Sequence, residues 1–232
     1  MQSFSYKAKA ELCRTAVQRL CCARAECYGV LLYCNTFTVQ EVRIITENPE
    51  FAARLPRLFQ RAFNVKFDRL PSNELSGGKL IFQISDQEKL GRILDTLGYD
   101  PRQALVMHVN FALLEEECCR AAFLRGAFLS GGSVTDPEKR YHLELCTSHA
   151  QASREVSALL QEMGFLPRSV MRGGSAVIYF KQSEHIEDLL TTLGAPVAAT
   201  EIMTAKVDKE IRNGANRAMN CDMANVNKTL DA

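Results

Sequence analysis

The period of the apolar positions changes several times along the chain, and the changes come twice in the same order. Leu55, Leu58, Phe59 and Ala62 recur at helical spacing, as do Val156, Leu159, Leu160 and Met163. Each set predicts an amphipathic helix. Pro49 suits the first turn of the earlier one, and Pro56 inside it predicts a kink. Val42 and Ile44 alternate with Glu41 and Arg43, and Leu143 and Leu145 with His142 and Glu144; this period of two predicts half-buried strands. "KLIFQIS" and "AVIYFK" read as further strands. A last helix is predicted over 86–97 and again over 183–193, ended by Gly98 or Gly194 as a C-cap glycine.

The recurrence extends to residue identity. "GGKLIFQISDQEKLGRILDTLG" (77–98) aligns without a gap on "GGSAVIYFKQSEHIEDLLTTLG" (173–194), with Gly77/Gly173, Gly78/Gly174, Glu88/Glu184 and Leu94/Leu190 identical. Upstream, "AECYGVLLYC" (25–34) aligns on "AFLRGAFLSG" (122–131), with Gly29 and Gly126 in register, and the offset stays between 96 and 101 residues throughout. A unit of about 80 residues is written twice, too few copies for a solenoid.

Each unit opens with a helix that carries a central glycine, at a cost of about 1 kcal/mol relative to alanine. Ala122, Gly126 and Ser130 form a strip of small residues, and Ala25 and Gly29 its shorter counterpart. Glycine lets backbones approach closely, so two α/β units packed about a pseudo-twofold axis should bring these two helices together at the centre. The alternative is that Gly126 only accommodates a bulky neighbour; its recurrence in register favours the first reading.

Composition narrows the class without naming it. The chain has 232 residues, 47% apolar and 24% charged, with a formal net charge of +1, so any basic surface must be a local patch. No apolar run reaches membrane-spanning length, and the first residues lack a signal-peptide core. Nine cysteines include the adjacent pairs Cys21-Cys22 and Cys118-Cys119. They read as reduced thiols of a cytosolic protein, acting mostly as small core residues. Cys146 and His149 form a lone CxxH without the further ligands of a zinc site. "SGGK" (76–79) and "RGGS" (172–175) precede strands rather than helices, so they read as hairpin turns and not phosphate loops.

A paired helix ending in small residues, at the head of two α/β repeats, resembles the LAGLIDADG homing endonucleases; "LRGAFLSGG" (124–132) overlays on their nine-letter motif. With "CCRAAFLRGAFLSGGSVTDPEKRYHLE" (118–144), "NRAMNCDMANVNKT" (216–229) and "SFSYKAKAEL" (3–12), nearly the whole chain is similar to the WhiA family of bacterial sporulation and cell-division regulators, built on a decayed version of that fold. The resemblance implies an α+β fold: two pseudo-twofold-related LAGLIDADG-type repeats whose antiparallel sheets form a saddle, with the two Gly-bearing helices packed at the centre. The expected organisation is an N-terminal helix in 1–24, repeats over 25–101 and 115–196, and a helical linker over 199–232. That linker leads toward a C-terminal helix-turn-helix domain that the chain lacks, so the chain reads as truncated.

In active relatives each motif helix ends in an acidic residue just before its last glycine, and two such carboxylates hold divalent cations for phosphodiester cleavage. The matching positions here are Cys34 and Gly131. The nearest acids, Asp136 and Glu138, lie past the helix end. The resemblance therefore implies a non-enzyme with no bound metal and no cofactor, located in the cytoplasm at the nucleoid.

The implied partner is double-stranded DNA, held mainly by the missing domain, together with a partner regulator protein; no membrane is involved. On the strand faces, Arg43, Lys79, Arg172 and Lys181, joined by Gln83, His142, Tyr179, Arg69 and Arg168, face Glu41, Glu144 and Asp68. Tight backbone-driven binding uses roughly 6 to 10 phosphates, so weak, salt-sensitive binding is expected. Arg54, Arg57 and Arg61 read as a solvated helix face. In the tail, Asn213, Asn216 and Asn220 share a helical stripe near Arg212, Arg217 and Lys228. That stripe either meets specific partners or caps a helix start and turn.

Overall fold

A computed structural model describes residues 2–17, 19–71, 78–100 and 106–230, leaving aside the side chains of 218 and 221–230. Helix α1 (Phe4–Cys13) starts where the Ser3 hydroxyl accepts the Tyr6 N–H at 3.1 Å. Helix α2 (Leu20–Tyr33) is buried at every residue from Ala25 to Tyr33, as a helix apolar on all sides must be. Strands β1 (Thr36–Phe37) and β2 (Val42–Thr46) follow. Helix α3 (Pro49–Phe63) opens with the Asn48 side chain capping Phe51 and Pro49 in its first turn, and it continues through Pro56. Strand β3 (Leu80–Ile84) and helix α4 (Gln87–Leu97) complete the first unit; Gly98 ends α4 at φ +80°.

The second unit repeats this order with α5 (Glu117–Gly131), β4 (Gly132–Val134), β5 (Leu143–Thr147) and α6 (Ala150–Glu162). Strands β6 (Arg168–Arg172) and β7 (Ser175–Phe180) and helix α7 (Ser183–Leu193) follow, and Gly194 caps α7 at φ +104°. The long α8 (Pro196–Leu230) is the last element described. The predicted hairpin at 172–175 joins β6 to β7 through Gly173 and Gly174, both at positive φ, as a tight hairpin turn requires. For its counterpart at 76–79, Ser76 and Gly77 lie outside the described residues.

Two antiparallel sheets result, ordered β1-β2-β3 and β4-β5-β7-β6. Their inner faces carry Val42, Ile44, Phe82 and Ile84 in one and Leu143, Leu145, Ile178 and Phe180 in the other, all buried, as the alternation predicts. The strand that β6 adds in the second sheet is reduced in the first to a single bridge between Arg69 and Gln83. The segment 1–24 holds α1 and also the first residues of α2, so the glycine-bearing helix of the first unit begins at Leu20. Among the described residues no helix is long and apolar enough to cross a membrane.

The glycines explain why α2 and α5 are central. A Cβ on Gly29 would lie 1.9 Å from the Phe123 carbonyl oxygen, and one on Gly126 would lie 2.0 Å from the Glu26 carbonyl oxygen. Each glycine is the seat of the other helix's backbone, so the contact is reciprocal across the pseudo-twofold axis.

Beneath this contact lies a charge cluster. The Glu26 carboxylate, fully buried, accepts from Arg54 Nε (2.6 Å) and Nη2 (2.9 Å) and from Arg125 Nε (3.1 Å). Arg54 also donates to the Cys13 and Thr15 carbonyls, and Arg125 to that of Leu193. The expectation that Arg54 belongs to a solvated face is thus corrected. It shares a helix with the exposed Arg61, but it turns inward toward a buried anion and two free carbonyls at the end of α1.

Candidate nucleic-acid interface

At the C-terminal tips of α2 and α5, where the resemblance implies carboxylates in a cleaving enzyme, the side chains offer no acid. The Cys34 thiol donates to the Leu31 carbonyl at 3.2 Å and the Thr36 carbonyl at 3.1 Å. Burial pushes it up to about 12 against backbone hydrogen bonds that pull the other way, so it stays a thiol. At Gly131 a Cβ would lie 2.4 Å from the Cys146 carbonyl oxygen and 2.8 Å from that of Tyr33. Backbone fills the space that a carboxylate there would need. Asp136 accepts the Glu138 N–H at 3.0 Å, and both acids line a cleft of about 810 Å³ shared with Lys7, Thr200 and Asp208 of α1 and α8. Cys146 and His149 find no third converging ligand among the described residues.

The outer faces of the sheets carry most of the cations that the sequence offered as DNA contacts. In the first sheet Arg43 stands exposed between Thr36 and Gln83, and Ile45 sits beside Ile81. Gln83 donates to Glu41 at 3.0 Å. Asp68, counted from sequence against this face, accepts the Ser85 and Asp86 N–H groups at 2.7 and 2.9 Å and pairs with Lys89. Burial raises its carboxyl, but these partners outweigh burial and hold it below its ordinary value. Its charge is thereby spent at the start of α4.

In the second sheet Glu144, Tyr179 and Arg168 lie side by side across β5, β7 and β6. Arg172 reaches both Glu144 oxygens, at 2.9 and 3.0 Å, and His142 lies 3.2 Å from one of them. Burial raises the Glu144 carboxyl, yet Arg172 and then His142 outweigh it and keep it low and ionised. The His142 ring stacks on Tyr179, with Lys181 Nζ 5.4 Å from the same ring centre. Arg172 is therefore matched by an acid, whereas Arg43, Arg69, Lys79, Arg168 and Lys181 are exposed and form no salt bridge with a described residue.

The tail departs from expectation in two respects. Asn213, Asn216 and Asn220 sit inside α8, not at a helix start or turn, so the capping reading does not hold. Arg212 is engaged at 2.9 Å by Glu138, which removes it from the freely available cations. Asn216, Arg217 and Asn220 are exposed, while the Lys228 side chain lies outside the described residues. Lys209, one turn before Asn213, donates to the Pro137 carbonyl and lies over Tyr141. The asparagine stripe continues the helix face that grips the second repeat.

A family model for the WhiA LAGLIDADG-like domain matches residues 120–212. A probable cell division protein WhiA of Ruminiclostridium cellulolyticum is 34% identical over 237 residues, covering 99% of this chain and 76% of the relative. One of Heliobacterium modesticaldum is 34% identical over 239 residues, with 99% and 75% covered. Among solved structures, full-length DUF199/WhiA from Thermatoga maritima superposes with a TM-score of 0.73 at 19% identity, covering 99% of this chain and 75% of that one. The homing endonuclease I-DmoI in complex with DNA and Mn gives 0.53 at 14% identity, covering 75% and 98%, a likeness of fold. With a third of its residues shared across nearly its whole length with proteins of that name, the chain belongs to the WhiA family.

Proposed function

We propose that this chain is the non-catalytic, DNA-contacting part of a transcription regulator acting in cell division and sporulation. Its two sheets would touch duplex backbone while a helix-turn-helix domain beyond this sequence reads the bases. The observation that carries the reading is the pairing of two facts: the helix tips end in Cys34 and Gly131, and the outer sheet faces keep Arg43, Arg69, Lys79, Arg168 and Lys181 available. Such a site can hold phosphates but has no carboxylate pair to place cations for cleavage. Arg217, Asn216 and Asn220, projecting from α8, are the second candidate contact. As a DNA-associated regulator the protein would reside at the nucleoid.

A salt titration against duplex DNA tests this. Five engaged cations give a log–log slope of about −4.5, at roughly 0.9 per phosphate. Replacing Arg43, Arg168 and Lys181 together by alanine should flatten that slope by about 3. A slope near zero in the unaltered chain removes the saddle from the account. The same preparations should leave supercoiled plasmid uncut in Mg²⁺ or Mn²⁺; nicking that disappears in Asp136→Asn would overturn the non-catalytic reading.

One observation favours a second reading, a protein-binding scaffold. Met203, Val207 and Ile211, spaced one turn apart on α8, are 52%, 53% and 65% exposed. An apolar stripe of this kind suits a partner's surface, and it becomes the leading candidate site if the salt slope is flat.

A further inference from the structure

The opposite end of the central helix pair carries a second constellation. The Sγ atoms of Cys21, Cys22, Cys118 and Cys119 all lie within 4.8 Å of one another. Among the described residues this is the one set of three or more His, Cys, Asp or Glu side chains that converges in this way. The arrangement follows the internal symmetry. Each pair occupies the second and third residues of its helix, α2 or α5, and the spacing from one pair to the other matches that from Gly29 to Gly126. Close approach of the helices at the glycines therefore brings the two pairs together.

Packing alone does not account for the cluster. Only Cys119 is buried; Cys22 and Cys118 are half-buried and Cys21 is exposed. A small apolar core residue has no reason to recur at an exposed position beside three others. All four are free thiols; burial acts against negative sulfur at Cys22 and Cys119, and two features act for it. Arg19 Nη1 lies 3.4 Å from Cys118 Sγ. Both helices begin without a side-chain cap, after Arg19 and Glu116, so two positive helix ends are aimed at the cluster. Glu116 and Glu117 act in the other direction at the start of α5.

We propose that Cys21, Cys22, Cys118 and Cys119 form a tetrathiolate site for a soft divalent metal of the zinc class, stapling the two repeats at the head of their central helices. A tetrahedral zinc with bonds of about 2.3 Å places its sulfurs about 3.8 Å apart, so the thiols need only rotate inward by about 1 Å. Binding one M²⁺ releases the four thiol protons to solvent and leaves a site of net charge 2−, offset by Arg19 and the helix ends. An iron–sulfur cluster shares its four thiolates among two or four irons and spreads the set as a whole wider than this one.

Metal analysis of the 232-residue chain, purified reduced and without chelator, tests the proposal. The expected content is about one zinc per chain, the complement of a four-cysteine site. Cobalt(II) added to the apo-protein should give thiolate-to-metal charge-transfer bands and tetrahedral d–d bands, and chelation should lower Tm. Cys21→Ser and Cys118→Ser, each checked for retained circular dichroism, should weaken zinc binding by at least about 100-fold, the upper end of what losing an outer partner does. Three results would each overturn it: apo-protein with four titratable thiols in the cluster that takes up neither zinc nor cobalt, metal content unchanged in the Cys21→Ser/Cys118→Ser double variant, or cross-helix disulfides in protein handled without air. The cobalt titration needs no substitution, so it decides the matter even if a variant fails to fold.

Discussion

Gly126→Ala should destabilise the chain by more than about 3 kcal/mol, beyond the usual cost of overpacking, and in ordinary buffers it is expected to yield largely unfolded protein. The new methyl would stand 2.0 Å from the Glu26 carbonyl oxygen, 2.9 Å from its carbon and 3.0 Å from the Val30 nitrogen. These are backbone atoms of the buried stretch of α2, so no side chain can swing aside. The helices would have to part by an ångström or more, and a gap of even 0.5–1 Å forfeits roughly a quarter to a half of each dispersion contact along the seam. The better helix propensity of alanine returns only about 1 kcal/mol. Gly91→Ala in α4 is the matched control, because nothing lies within 4 Å of its added methyl. There the same change should stabilise by about 0.5–1 kcal/mol. Urea melts of both variants followed by circular dichroism would settle the point; equal midpoints would mean that α2 and α5 do not meet through their glycines.

This helix seam was legible in the sequence because its cause is local and repeated. Gly29 and Gly126 align, and close packing is the physical reason for a glycine inside a buried helix. Strand faces and helix caps were readable on the same grounds: Val42 and Ile44 are buried on either side of the exposed Arg43, and Gly98 and Gly194 adopt the positive φ that their positions implied. Features whose causes lie far apart in the chain were not readable. Arg54 shares a stripe with Arg57 and Arg61, and periodicity says nothing of a buried carboxylate 28 residues earlier. The available signal was Glu26 itself, a lone acid in the run "AECYGVLLY", and Arg125 beside Gly126 in an equally apolar run. Each cysteine, read singly, suits a small core position. Their spacing from Cys21 to Cys118, equal to that of the glycines, was the clue to convergence. Arg172 and Arg212 are held by Glu144 and Glu138, 28 and 74 residues away in sequence, and no local pattern encodes such pairs.

Glu26→Ala should cost about 3–5 kcal/mol, the range for breaking a buried ion pair from one side. It leaves two guanidiniums, whose side chains are only 12% and 9% exposed, without their shared anion. Glu26→Gln should fare little better, since its amide NH₂ turns a donor toward groups that are themselves donors. In principle a buried charge cluster can be exchanged for apolar side chains without loss, and the triple variant Glu26→Leu/Arg54→Met/Arg125→Met tests whether that holds here. It should recover part of the loss and still remain below the unaltered chain. Arg54 and Arg125 do more than neutralise Glu26: they satisfy the carbonyls of Cys13, Thr15 and Leu193, and each carbonyl left without a partner costs about 1–3 kcal/mol. Those carbonyls belong to the ends of α1 and α7, so the cluster ties the N-terminal segment and both repeats to the central helix pair. Denaturant midpoints for Glu26→Ala and the triple variant measure this. A triple variant at least as stable as the unaltered chain would mean that the arginines serve only their shared anion and that the tie to α1 and α7 contributes nothing.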